Sequence, residues 1–282
     1  TTLLCANLLL QDTTQKYDNF NVQYFLDETS SLTFKEVEST NFNETISNQF
    51  TQGYKHGDAW FKIKITNNSK NEDFVLSFTE PLWSTLNLYT KKNHEWTIDK
   101  NGLNIPLNER NIKDVLPAFN FHIPTGETQY LYARGSTIAS QIGEFQVYTK
   151  DEFFNPSRTT ITQWYEIYSF AIFVFVLLNF YNYIVTRDSI FMYYVFYVVV
   201  YIVFVSMHSG LYISYGLPNW QEGLHVLGQL TLFSLLVFSI KYLDLKKLSV
   251  RVFSYSKLYH IFYQSIYRIL CVYVLVKFIK LF

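Results

Sequence analysis

The sequence predicts two parts of different class: an all-β antiparallel sandwich, then an α-helical transmembrane bundle of about four spans. Three observations predict it. The composition changes at Trp164, from polar stretches with charges throughout to apolar runs rich in Phe and Tyr. Those runs, Tyr165–Val185, Ile190–Ser206, Leu224–Ile240 and Ile261–Val276, approach the ~20 residues with which a helix crosses a bilayer core. Ahead of the change, short segments alternate apolar and polar side chains, the pattern of strands with one face in a core.

At 282 residues the chain has room for about two domains. The sandwich is expected over 18–155 and the helices over 156–282, near 165–185, 190–207, 224–240 and 261–280. The opening TTLLCANLLL reads as an export-signal remnant, with Cys5-Ala6-Asn7 as a cleavage neighbourhood, or as a disordered start, so 1–17 is set apart. A short helix fits Leu32–Ser39. Strands follow at Ala59–Thr66 (AWFKIKIT), Asp73–Thr79, around Leu86 and Leu88, at Phe119 to Ile123, at Tyr130–Arg134 and at Phe145–Tyr148. Turns rich in Asn, Gly, Pro and Ser separate them. Asp151–Gln163 links the sandwich to the first span. Cys5 and Cys271 lie in different parts of the chain, so the sandwich is expected to fold on its hydrophobic core without disulfides.

Lys and Arg set the orientation. The loop after the first span holds Arg187; the segment after the third holds Lys241, Lys246, Lys247, Arg251 and Lys257. Between the second and third spans, Ser209–Gly223 carries neither residue type. The basic segments belong in the cytoplasm, which turns the N-terminal domain outward. Lys277 and Lys280 run against this pattern and would have to snorkel.

Several chemistries find no support. Net charge is zero, and no basic cluster is interleaved with aromatics, so nucleic acid is not an expected partner. The six histidines are scattered without metal-ligand spacing, and there is no phosphate loop or nucleophile elbow. No metal, cofactor or enzymatic activity is expected.

A set of motifs runs in order along the chain. Tyr24-Phe25-Leu26-Asp27 precedes Leu32-Thr33-Phe34-Lys35-Glu36-Val37, and then Ala59-Trp60-Phe61-Lys62. Gly102, Pro106 and Arg110 come next, followed by Phe121, Pro124-Thr125-Gly126 and Leu131-Tyr132-Ala133-Arg134. The helical half adds Leu178-Asn179, Arg187-Asp188-Ser189, Tyr193-Tyr194, Gly210 and Leu217-Pro218. In this order and spacing the chain resembles the bacterial seven-transmembrane receptors with diverse intracellular signalling modules, with an extracellular sensory domain of the second type. The resemblance implies a jelly-roll-like sandwich similar to carbohydrate-binding modules, and a ligand-sensing role. It further implies seven spans and a cytoplasmic kinase, cyclase or phosphatase, whereas this sequence reaches Phe282 after about four spans. The expected setting is a bacterial inner membrane with the sandwich in the periplasm.

Binding is therefore the expected activity. Sugar sites combine aromatic faces with a few orienting polar groups. Trp83, Tyr89, Trp96 and Tyr132 are the candidate faces, and Arg110 and Arg134 the candidate anchors. Trp60 opens an alternating strand and reads as core; Arg134, ending a strand, reads equally as half of a structural ion pair. In the helices, Asn179 and Asn182 share one face, His225 and Gln229 another, and Arg268 lies on the fourth run. These read first as interhelical contacts. Expected partners are the lipid bilayer, a small molecule or carbohydrate, and either a second copy or a separate cytoplasmic signalling protein. The alternative reading is a membrane-tethered binding or scaffold module without signalling.

Overall fold

Alternation in AWFKIKIT sends Phe61, Ile63 and Ile65 to one side of a strand and Trp60, Lys62 and Lys64 to the other. The first set lies in the interior of a two-sheet sandwich. The computed structural model describes residues 7–92, 95–155, 161–215 and 223–244. They fall into two units, one holding 7–92, 95–155, 161–162 and 208–215, the other 163–207 and 223–244.

In the first unit the elements run β1 (Asn7–Leu10), β2 (Lys16–Tyr17), β3 (Asn21–Asp27), α1 (Phe34–Ser39), β4 (Glu44–Ser47), β5 (Gln49–Gly53) and β6 (Asp58–Asn67). Then come β7 (Asp73–Phe78), β8 (Thr85–Lys92), β9 (Glu95–Asn101), β10 (Ala118–His122), β11 (Thr128–Ser136), β12 (Gln141–Thr149) and α2 (Lys150–Phe153). One sheet has the order β4-β3-β6-β11-β8-β9, with β1 also paired to β6; the other has β10-β7-β12-β2, with β5 also on β12. Pairing is antiparallel except for β1 on β6, which is parallel. Between the sheets Trp83, Phe50, Phe61, Phe78 and Phe145 pack ring on ring.

The expected start at residue 18 is corrected. Residues 7–10 are a strand, and Leu8 and Leu10 are buried in the core, because the alternation of NLLL suits a strand beside β6. The expected short helix is present as α1. Thr33 and Glu36 form its capping box, with the Thr33 N–H donating to the Glu36 carboxylate at 2.7 Å.

In the second unit α3 (Ile161–Thr186), α4 (Ser189–His208) and α5 (Gly223–Tyr242) are the elements described. Three helices are long and apolar enough to cross a membrane: Gln163–Thr186, Ser189–His208 and Gly223–Tyr242. Their apolar side chains are largely exposed, as a lipid-facing surface requires. On α4 and α5, Tyr194 meets the edge of Phe238 at 5.3 Å, and Gly228 lies close to the Phe204 ring. The expected fourth span, 261–280, lies outside the described residues, as do Arg268, Cys5 and Cys271.

A short 3-10 turn, Leu211–Tyr215, follows α4 and groups with the sandwich. Leu211, Tyr212 and Ile213 are buried. Gly210 holds φ +74°, and a Cβ there would stand 3.0 Å from Pro81 Cβ and 3.3 Å from Val115 Cγ1. Burial pushes the Tyr212 hydroxyl up to about 12.

Candidate ligand-binding site

The outward face of the larger sheet gathers four of the six expected binding residues, Tyr89, Trp96, Tyr132 and Arg134. Register places Lys62, Tyr132, Tyr89 and Ile98 side by side across β6, β11, β8 and β9. The neighbouring row runs Phe25, Trp60, Arg134 and Asn87. Tyr89 and Tyr132 are buried and Trp96 is half-buried, all in one cluster with Trp60, Val37 and Phe42.

What covers this face is the connection from β3 to β4, which contains α1. Phe34 stacks on Tyr89 at 4.4 Å with the planes 6° apart. Its ring meets Trp96 and Tyr132 edge-on, at 4.8 Å and 5.4 Å, and lies 6.4 Å from Trp60. Val37 is fully buried below, while Phe34 itself is half-buried.

Polar groups fasten the connection at its start. Asp27 is buried, and burial alone would raise its pKa; hydrogen bonds from Thr29 and from the Leu32 N–H hold the carboxyl below its ordinary value. Ser30 donates to Asp58 at 3.1 Å, and its carbonyl accepts from Arg134 at 3.2 Å. Arg134 pairs with Asp58 through Nε at 2.7 Å and Nη2 at 2.6 Å. Gly57 approaches so closely that a Cβ would come within 2.2 Å of the Asp27 carbonyl oxygen, and its φ is +109°.

Around the rings stand Glu38, which accepts from Trp96 Nε1 at 3.2 Å, and Lys62, whose Nζ is 4.9 Å from the Tyr130 ring and 5.4 Å from that of Tyr132. Burial lowers the Lys62 ammonium pKa and pushes the Tyr132 hydroxyl up to about 12. Trp60 Nε1 is buried without a hydrogen-bond partner, the one such side-chain atom among the described residues.

Trp83 and Arg110 are placed elsewhere. Trp83 is fully buried between the sheets and donates from Nε1 to the Ile142 carbonyl at 2.9 Å, so it presents no face to a ligand. Its neighbours Pro81 and Leu82 are buried too, which is why a residue read as loop-borne is core. Arg110, 3% exposed, spends its guanidinium on the carbonyls of Gly102, Ile105, Asp114 and Val115, at 2.7, 3.0, 3.0 and 3.3 Å. It staples the β9–β10 connection and is not an open anchor. Arg134 belongs to the covered face through its ion pair, with its guanidinium 5.3 Å from the Trp60 ring centre.

In the helices, Asn179 donates to the Phe175 carbonyl of its own helix at 2.8 Å, and Asn182 is exposed. His225 and Gln229 share an exposed face of α5. Among the described residues no His, Cys, Asp and Glu cluster could hold a metal ion. Sequence reading singled out Tyr89, Trp96 and Tyr132 but gave Phe34, Glu38 and Lys62 no binding role. The stretch LTFKEVES does show an aromatic on a short amphipathic helix, which was the available signal.

The family model described as 7TMR-DISM extracellular 2 matches residues 19–149. The sandwich is a domain of that family. With three candidate membrane helices after it, the chain is a multi-pass membrane protein carrying an extracellular sensory-family domain. No curated protein matches it. Among solved structures, a β-glucosidase from Kluyveromyces marxianus in complex with glucose aligns at 12% identity and TM-score 0.26. The alignment covers 45% of this chain and 15% of that one.

Proposed function

We propose that this protein is a receptor of the bacterial inner membrane. Its periplasmic sandwich binds a small ligand, with carbohydrate as the favoured class, and passes the event to the helices without catalysing a reaction. The observation that carries the reading is the cluster of Tyr89, Trp96 and Tyr132 on one sheet face of a sensory-family domain. Aromatic faces with a few polar groups at their edge suit the C–H side of a sugar ring. The chain offers two routes toward the helices: the linker after β12, and the turn after α4 that groups with the sandwich.

A ligand shifts a conformational equilibrium only as far as its affinities for the two states differ. The test therefore reads binding and response together. The chain in lipid nanodiscs, in a cysteine-free background, carries spin labels at positions 151 and 163 and meets a panel of gluco-, galacto- and manno-configured oligosaccharides. A sugar that raises the unfolding temperature and changes the label distance supports the receptor. A sugar that binds with the distance unchanged converts the reading to a tethered binding module.

A further inference from the structure

We propose that the place occupied by Phe34 is a carbohydrate subsite which the protein keeps shut with its own side chain. A neutral sugar ring takes the place of Phe34 on Tyr89 and gives the Trp60 indole N–H the acceptor it lacks. The inference rests on the reading of the sandwich as a ligand sensor and names where and how the ligand enters.

Three independent observations converge on this place. First, the geometry around Phe34 is that of a bound ring. Tyr89 lies parallel beneath it at 4.4 Å, and Trp96 and Tyr132 stand edge-on around it. A pyranose presents a flat C–H face of similar extent, and it profits from a parallel aromatic floor in the same way.

Second, the occupant is poised to leave. Phe34 is the first residue of a six-residue helix, and it is half-buried where Val37 is fully buried. Val37 keeps the helix on the sheet, so Phe34 can swing outward without opening the sandwich. The connection stays tied at Asp27 and Ser30.

Third, the cluster contains an unanswered donor. Trp60 Nε1 is buried without a partner. Its nearest ring contacts include Tyr89 at 5.5 Å and Phe34 at 6.4 Å. A phenyl ring has no lone pair to offer an N–H, whereas a sugar carries ring and hydroxyl oxygens all round. Native interiors rarely leave such a donor orphaned, and the exceptions call for an explanation. The charges nearby favour a neutral ligand: Arg134 is matched by Asp58, and Glu38 and Lys62 are of opposite sign.

A site whose open form is a minor fraction binds with its affinity reduced by that fraction. Removing the gate should therefore tighten binding. The test uses the chain in nanodiscs as wild type, Phe34→Ala, Trp60→Phe and the double variant, with the oligosaccharide panel as probe. Phe34→Ala is expected to bind at least about tenfold tighter than wild type, as a gate open about a tenth of the time requires. Adding Trp60→Phe is expected to lose at least about tenfold again, because the buried donor is then missing. Independently of any sugar, hydrogen exchange at the Trp60 indole N–H should be slow in wild type and much faster in Phe34→Ala.

If Phe34→Ala unfolds without cooperativity, Phe34→Leu is read in its place; it keeps apolar volume and removes the stacking ring. A sugar that binds wild type and the gate variant equally overturns the gate while leaving the receptor intact, since its site is then elsewhere. Faster indole exchange with no sugar bound by any variant overturns the carbohydrate assignment. Binding with no change of label distance across 151–163 counts against the receptor and leaves the gate standing.

Discussion

Replacing Arg110 by Ala should destabilise the sandwich by about 3 kcal/mol, through the loop it holds rather than through any ligand. The guanidinium donates to four backbone carbonyls. The bonds to Gly102 and Val115 are buried, and those to Ile105 and Asp114 are partly open. A bond to a charged donor contributes about 1.5–3 kcal/mol, so losing the buried pair costs about 3–6 kcal/mol. Water can replace the donor at the other two. Relief of the desolvation of Arg110 itself brings the net toward the lower end. For a domain of roughly this size, about 3 kcal/mol lowers the unfolding temperature by about 6–12 °C. Arg110→Lys should recover little, because a single ammonium cannot span four carbonyls set around a planar fork. The assay is thermal unfolding in nanodiscs followed by tryptophan fluorescence. Unfolding of Arg110→Ala within about 0.5 kcal/mol of wild type would refute the reasoning, since surface changes alone reach that size. So would a normal unfolding temperature accompanied by lost ligand binding.

Four further outcomes are expected. Trp83→Ala removes a fully buried indole and its bond to Ile142, and should cost about 3–5 kcal/mol in denaturant unfolding. Gly57→Ala meets both the Asp27 carbonyl and an unfavourable φ, so a loss of at least about 2 kcal/mol is expected from the same measurement. Asp27 has a folded-state pKa below its ordinary value. Its contribution is therefore present above the ordinary carboxylate range, near ~4, and is lost as pH falls through the folded value; Asp27→Asn should flatten that acid limb of urea stability. Gly210→Val pushes a side chain against Pro81 and Val115 at a positive φ, so protease sensitivity of the following turn should rise while the sandwich core keeps its cooperative unfolding.

The strands that sequence reading found are those whose apolar residues alternate with polar ones over several positions, such as β6, where Phe61, Ile63 and Ile65 alternate with Lys62 and Lys64. The missed strands break that rule for physical reasons. In β3 both faces are covered, Val22 and Tyr24 by the core and Phe25 by the β3–β4 connection, so Phe25-Leu26 reads as a run rather than an alternation. β9 is an edge strand with only two apolar residues, Trp96 and Ile98, a stripe too short to stand out among Glu95, Thr97, Asp99 and Lys100. Arg110 and Trp83 were legible as special but not as structural. Four carbonyls converging on one guanidinium come from a folded loop, and no spacing of residue types announces them. The aromatic face was legible in part. Tyr89, Trp96 and Tyr132 are conspicuous, yet only the register of β6, β11, β8 and β9 shows that they are neighbours.

The high aromatic content, 19% of the residues, divides among three surroundings that ask different things of a ring. Between the sheets, Phe61, Phe78, Trp83 and Phe145 are sealed on every side, and any polar atom they carry is satisfied, as Trp83 Nε1 is. On α3, rings such as Phe170, Phe173 and Phe175 are exposed, which lipid accepts and water would not. The third group, on the outer sheet face, follows neither rule. Its rings are covered, yet by a single short helix rather than by a second sheet, and one polar atom within it is left unpaired. A purely structural face could dispense with that N–H, because a Phe at position 60 would avoid the cost of an orphaned donor. A surface made for continuous contact with water would not carry these rings at all. A cover made of one short helix, a stacked ring and an unpaired donor are what the proposed subsite needs if it is to stay dry when empty and gain a hydrogen bond when filled.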